Sequence, residues 1–294
     1  MSFAENLKAK TNEIEKILAE FLPREEGLQK TVFSAMNYSV SAGGKRLRPL
    51  LLLETHALFG GASPAAKPLA AALEMIHTYS LVHDDLPCLD NDELRRGKPT
   101  TWKVYGEQMG LLAGDALLNY AFEIALGALS ENFTPNVARA VQILAQKAGI
   151  FGMIGGQVVD VECEGKGGDL DTVLFIHQNK TAALMEAAMM IGAILAGASE
   201  ENIAKTEQLA RDIGVAFQIK DDILDVTSTA DILGKPVGSD ARNEKVTYVT
   251  LKGLRQSQRD VEIISERALA TLASLPGENA FLEALIRVLI TRGK

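Results

Sequence analysis

The chain has 294 residues, 47% hydrophobic but only 5% aromatic, and 38 acidic against 30 basic side chains give it a net charge of −8. That balance disfavours a nucleic-acid surface or an anionic membrane as principal partner, so any anion must be bound locally. Two cysteines, Cys88 and Cys163, form no CxxC pair and no disulfide framework, which suits a reducing compartment.

Ala and Leu dominate and no segment shows sustained β-branched alternation, so the expected fold is all-α. Residues 3–21 read as an amphipathic helix ending before Pro23. Ser41 to Pro49 sets Gly43-Gly44 before Lys45, Arg46 and Arg48. This stretch is either an anion site at the mouth of a helix expected over 50–59 or a solvated basic loop. The apolar run Leu69–Val82 is a buried helix that Pro87 should end, leaving Asp84 and Asp85 at its mouth. Gly106–Gly127 is a small-residue helix carrying Asp115. One helical pattern covers Pro135 to about Glu162, and its Gly155-Gly156 pair points to close approach of another backbone or a ligand. Gln157 and Asp160 share a face there. Asp169–Ala198 carries Lys180-Thr181 amid apolar neighbours, where a lone lysine would snorkel outward. A helix over 202–225 bears Asp221, Asp222 and Asp225, and two or three amphipathic helices follow from Val246. The N-terminus has no apolar signal core, and the run Ala187–Ala198 is too short to span a bilayer. No repeat or linker divides the chain, so residues 1–294 are expected to form one cytoplasmic domain.

Two acidic clusters stand out. Asp84, Asp85 and Asp90 are followed by Arg95, Arg96 and Lys98; Asp221 and Asp225, at i and i+4, lie on one helical face. Crowded carboxylates repel unless a hard cation sits between them, and Mg²⁺ accepts one or two carboxylates while leaving room for phosphate oxygens. A solvated face is the alternative for either cluster alone. Calcium fits poorly, because Asp90 to Arg95 lacks the ligand alternation and central glycine of an EF-hand loop, and four scattered histidines with two cysteines show no zinc spacing. His77, seven residues before Asp84, is a core histidine or a phosphate contact. Tyr79 and Ser80, about one turn below Asp84, are either a pocket wall or ordinary packing.

Taken together these stretches resemble the trans-isoprenyl diphosphate synthase family, its bacterial farnesyl diphosphate synthase branch above all. The resemblance rests on Gly44 to Pro49, Asp84 to Gly97, Gly156 to Asp160, Lys180-Thr181, Phe217 to Asp225, and Gly234-Lys235 to Lys245. It implies a single-domain helical bundle around a deep central cavity, in a homodimer. Asp84 and Asp90 from one helix and Asp221, with Asp225, from another would hold three Mg²⁺ (or Mn²⁺) on an allylic diphosphate, with Asp85 and Asp222 close by. Arg95, Lys180, Lys235 and Lys245 would contact that diphosphate, and Lys45, Arg48, His77 and Arg96 would take isopentenyl diphosphate. Thr181 and Gln218 would stabilise the allylic cation. The implied reaction joins isopentenyl diphosphate to dimethylallyl or geranyl diphosphate. An aromatic five positions before the first aspartate floors the cavity in such enzymes, and Tyr79 stands there beside Ser80, implying a fifteen-carbon product.

The alternatives are a geranylgeranyl or geranyl diphosphate synthase, a terpene cyclase, a non-catalytic partner subunit and a helical scaffold. Both all-aspartate clusters and a full basic set speak against the cyclase and the partner subunit, and Mg²⁺-dependent bisphosphonate binding separates the scaffold from an enzyme. The basic tail Arg287–Lys294 is a solvated end or a lid.

Overall fold

The computed structural model describes residues 2–227 and 246–291. It is all-α: among the described residues the only strands are Leu94–Arg95 (β1) and Lys98–Pro99 (β2). The chain separates into two compact units, Met1–Leu53 with Ser63–Val141, and Glu54–Ala62 with Gln142–Lys294.

The first unit contains α1 (Phe3–Phe21), α2 (Lys30–Val40), the start of α3 (Leu47–Leu58), α4 (Ala66–Asp84), α5 (Thr101–Tyr105), α6 (Glu107–Glu131) and the start of α7 (Pro135–Ala148). Ser2 and Glu5 close a reciprocal capping box on α1. Helix α3 begins three residues earlier than its proline suggested. Pro49 is its third residue, inside the first turn, where a missing N–H costs nothing. The centre is α4, whose Leu69 to Ile76 are all buried. It packs against the small-residue face of α6, where Gly110, Ala113, Gly114 and Ala121 are buried. A Cβ on Gly114 would fall 2.1 Å from the His83 imidazole, so that glycine lets α4 and α6 close. Helix α6 runs four residues past its expected end at Gly127. It is also the one described helix long and apolar enough to cross a membrane by length and composition.

The second unit carries the rest of α3 and α7, α8 (Met153–Cys163), α9 (Leu170–Ile176), a π-helical turn (His177–Ala182), α10 (Ala183–Leu195) and α11 (Glu200–Thr227). After residue 245 come α12 (Tyr248–Lys252), α13 (Leu254–Ala273) and α14 (Ala280–Thr291). Every residue of α10 is buried, and α11 packs on it, on α13 and on α14. The buried Glu186 of α10 is neutralised by Lys147 and by Arg211, whose Nε lies 2.8 Å from it. One expectation is corrected here. The pattern from Pro135 to Glu162 is two helices, because at Gly152 (φ −144°, ψ −124°) the backbone leaves the helical region. The Asp169–Ala198 segment is α9 and α10 joined by the π-helical turn. Its π turn lies against α8 and α11 at two glycines: a Cβ on Gly156 would fall 2.2 Å from the Lys180 amide nitrogen, and one on Gly214 would fall 2.4 Å from the Ala182 Cβ. The close backbone approach expected at Gly155-Gly156 is thus found at Gly156.

Gly156→Ala should therefore destabilise the fold by about 1–3 kcal/mol through overpacking. Gly127→Ala, on α6 with nothing within 4 Å of the new Cβ, should stabilise it by about 0.5–1 kcal/mol. Urea unfolding of the two variants checks the contrast; equal midpoints would refute it.

Candidate active site

In the first unit the end of α4 sets the acidic edge. Asp84 is its last residue and Asp85 its C-cap, with the Asp85 N–H bonded to Leu81 and His83 carbonyls. Pro87 then turns the chain away, and the Asp90 N–H returns to the Asp84 carbonyl at 2.8 Å. Asp90 is therefore not on the helix with Asp84, as the resemblance implied, but in the exposed loop beyond it. Asp84 is half-buried, whereas Asp85 is buried and accepts from Arg95 Nε at 2.7 Å, with Arg95 Nη2 2.6 Å from the same oxygen. Burial pushes the Asp85 carboxyl upward against the pull of Arg95.

Behind this edge lies a basic cleft lined by Glu74, His77, Asp85, Arg95, Arg96 and Thr101. Arg95 and Arg96 sit on the β1–β2 hairpin, whose two-residue turn has Arg96 at φ 55° and Gly97 at φ 76°. The Tyr38 hydroxyl donates to the Pro99 carbonyl at 2.6 Å and ties that hairpin to α2. Arg96 Nη1 reaches back to the Gly43 carbonyl. Its guanidinium occupies the space where a Gly44 side chain would stand, which explains the glycine pair.

The basic triplet divides. Lys45 is exposed. Arg46 is buried with Nη1 2.9 Å from Glu74 and Nε 2.8 Å from Glu15, so it is a structural strut. Arg48 lies within the fields of Glu74 and Arg96, and burial lowers its guanidinium pKa to about 10. Its Nε is buried without a hydrogen-bond partner among the described residues. Burial, together with the positive field of Arg48, Arg96, Arg95 and Arg46, holds His77 far below the usual histidine range and hence neutral. Tyr79 is buried, edge-on to His83 with ring centroids 5.7 Å apart, and burial raises its phenol to about 12. The Ser80 hydroxyl donates to the His77 carbonyl.

In the second unit the π turn presents Lys180 and Thr181. Lys180 does not snorkel outward: its Nζ lies 2.5 Å from Asp160 of α8. The Thr181 hydroxyl donates to Gln218 Oε1 at 2.9 Å, and Gln218 Nε2 donates to Asp222 Oδ1 at 3.5 Å. Asp222 is buried and accepts the Tyr248 N–H on Oδ2 at 2.9 Å. His177 Nε2 lies 3.5 Å from that oxygen, and burial pulls its pKa down to about 4. Asp221 is half-buried on α11, and Asp225, one turn on, is buried. Lys235 and Lys245 lie outside the described residues.

No three His, Cys, Asp or Glu side chains among the described residues gather into a ready-made metal cage. Each unit has its own half-buried carboxylate, Asp84 at the end of α4 and Asp221 on α11, and Mg²⁺ takes few protein ligands, completing its shell with water and phosphate oxygens. Sequence reasoning missed Glu74, the role of Arg46, Tyr38, His177 and Tyr248. Only Glu74 announced itself, as a lone charge in an Ala/Leu helix.

The polyprenyl synthetase family model matches residues 29–274. The chain is 41% identical over 293 residues to the farnesyl diphosphate synthase of Geobacillus stearothermophilus, covering 99% of this chain and 98% of that one. It is 46% identical over 272 residues to a chloroplastic geranylgeranyl pyrophosphate synthase of Catharanthus roseus, covering 92% and 76%. Among solved structures, an FPP/GFPP synthase of Zymomonas mobilis superposes with TM-score 0.87 at 35% identity, covering 98% and 99%. A geranyltransferase of Helicobacter pylori, complexed with magnesium and isoprenyl diphosphate, superposes with TM-score 0.82 at 32% identity, covering 97% and 96%. With a family model matched over most of its length and a relative alike from end to end, this chain belongs to the polyprenyl synthetase family and is an enzyme of the prenyl diphosphate synthase kind.

Proposed function

We propose that the protein is a Mg²⁺-dependent farnesyl diphosphate synthase, adding isopentenyl diphosphate to dimethylallyl and then geranyl diphosphate, and that residues 1–294 work as one catalytic domain. The observation that carries the reading is the cleft that Arg95 and Arg96 line together with neutral His77, with the charge of Arg48, whose Nε is buried, acting on the same imidazole. Such an excess of guanidinium is stabilised by an anion, and a diphosphate offers the charge and the acceptors. In this reading Lys45, Arg48, His77 and Arg96 hold isopentenyl diphosphate. Arg95, Lys180, Lys235 and Lys245 hold the allylic diphosphate. Asp84, Asp90, Asp221 and Asp225 are the carboxylates from which three Mg²⁺ (or Mn²⁺) draw ligands, with Asp85 and Asp222 close by.

Bound Mg²⁺ neutralises the charge that grows on the departing diphosphate. The protein's part is to pin both diphosphates with fixed guanidinium and ammonium groups, so that the isopentenyl double bond faces the allylic carbon. As the C–O bond ionises, the oxygens of Thr181 and Gln218 stabilise the allylic cation without supplying a strong nucleophile. The double bond attacks, and the proton lost from the product goes to the released diphosphate. Tyr79 lies five residues before Asp84, roughly 7.5 Å deeper along α4, and its buried ring supports a floor at fifteen carbons. The 46% identity to a geranylgeranyl pyrophosphate synthase favours a twenty-carbon product as the second reading.

The homodimer and the cytoplasmic location are part of the proposal. On α6, Leu111 and Leu126 are exposed and Leu118 and Phe122 half-buried along one stripe, interrupted by Asp115 and Asn119. A bilayer would reject those polar side chains, whereas a second copy of α6 would accept them.

Three outcomes are expected. With Mg²⁺ and labelled isopentenyl diphosphate, dimethylallyl and geranyl primers should yield farnesyl diphosphate and a farnesyl primer should not be extended; Tyr79→Ala should shift output to twenty carbons or more. Unchanged chain length in that variant would remove the floor argument. Asp84→Ala should abolish Mg²⁺-dependent bisphosphonate binding in calorimetry; retained binding would remove Asp84 from the cation site. Leu118→Glu should halve the mass measured by light scattering, and an unaltered mass would place any interface elsewhere.

A further inference from the structure

The second unit contains a hydrogen-bond relay with a fixed direction. A carboxylate offers only acceptors, and Asp222, 5% exposed, receives the Tyr248 N–H on Oδ2 and the Gln218 amide NH₂ on Oδ1. With its NH₂ turned to Asp222, Gln218 presents Oε1 on its other side, 2.9 Å from Thr181 Oγ1. Two oxygens meet there, so Thr181 must donate. Its one proton is then committed, and what the hydroxyl shows to any other group is lone pairs. Reversing the Gln218 amide would make Thr181 accept instead, turning its proton outward. The anchor is rigid: the Tyr248 N–H belongs to the first residue of α12, whose Thr247 cap closes a reciprocal box with Thr250. The His177 ring, stacked near Tyr248, walls the carboxylate from the other side.

We propose that Asp222 is a positioning residue, not a cation ligand: it sets the orientation of Gln218, and through it makes Thr181 face the reacting centre as an electron-rich oxygen. The inference rests on the proposed prenyl transfer, because only developing positive charge favours that polarity. It departs from the family resemblance, which grouped Asp222 with the metal-binding aspartates.

The test uses the full-length protein, with Mn²⁺ binding in the presence of a bisphosphonate read by electron paramagnetic resonance alongside kcat. Asp222→Asn brings an NH₂ against Gln218 and favours the reversed amide. It should lower kcat about 10- to 100-fold while binding as many Mn²⁺ ions as wild type, whereas Asp221→Asn should bind fewer. Gln218→Glu, which cannot donate to Asp222, should lose activity similarly. In the double variant Asp222→Asn/Gln218→Glu, the new amide at position 222 donates to the new carboxylate at position 218, and that carboxylate again accepts from Thr181, so kcat should exceed that of either single variant. A double variant no better than both singles, folded or not, overturns the proposal, as does loss of Mn²⁺ from Asp222→Asn to the degree seen in Asp221→Asn. If wild type neither condenses substrates nor binds Mn²⁺ with the bisphosphonate, the functional reading itself fails, and this inference with it.

Discussion

Guanidinium groups gathered around one point repel one another, and what holds Arg46, Arg48 and Arg96 near a common centre is the buried carboxylate of Glu74. One charge on Glu74 does not balance three. Arg46 consumes most of it, with Glu15 completing that pair, while Arg48 and Arg96 feel it only through space. These groups thus keep a positive excess in the resting protein, which an anion bound beside them would relieve. The same field keeps His77 neutral, so the imidazole carries a single N–H donor and adds no charge of its own.

The second unit solves a different problem, namely how to present a lysine and a threonine one after the other from a helix whose continuation is wholly buried. A regular α-helix would rotate Lys180 and Thr181 by the same step of about 100° as every other pair. The wider π turn changes that step locally, and Asp160 and Gln218 then fix the two side chains. The turn exists because α8 and α11 each leave out a side chain where it passes, at Gly156 and Gly214.

These two devices differ in how far the amino-acid sequence discloses them. Helices α1 and α4 were legible because their limits are set by local chemistry: a capping serine, an unbroken Ala/Leu run, a proline past the end. The motif order was legible too, and it carried the family. The break at Gly152 and the π turn were not, because their causes lie in backbone conformation and in glycines on other helices. The hairpin escaped notice because two-residue strands have no period to detect. Within the basic triplet, burial alone separates Arg46 from its neighbours, and burial is a property of the folded chain. Asp84 and Asp85 are adjacent in sequence, yet at the C-cap turn one residue is half-buried and the other is buried with its carboxylate on Arg95.

The seating of the π turn against Gly156 and Gly214 also governs how this chain can be recombined with its relatives. Residues 156, 177–182 and 214 are scattered along the sequence but form one steric unit. A chimera with a crossover between α8 and the π turn joins a groove from one parent to a ridge from another, and a mismatch of a single methyl group there displaces the backbone at Lys180. Crossovers placed before α8 or after α11 keep the groove and ridge together, so residues 153–227 are the natural block to exchange.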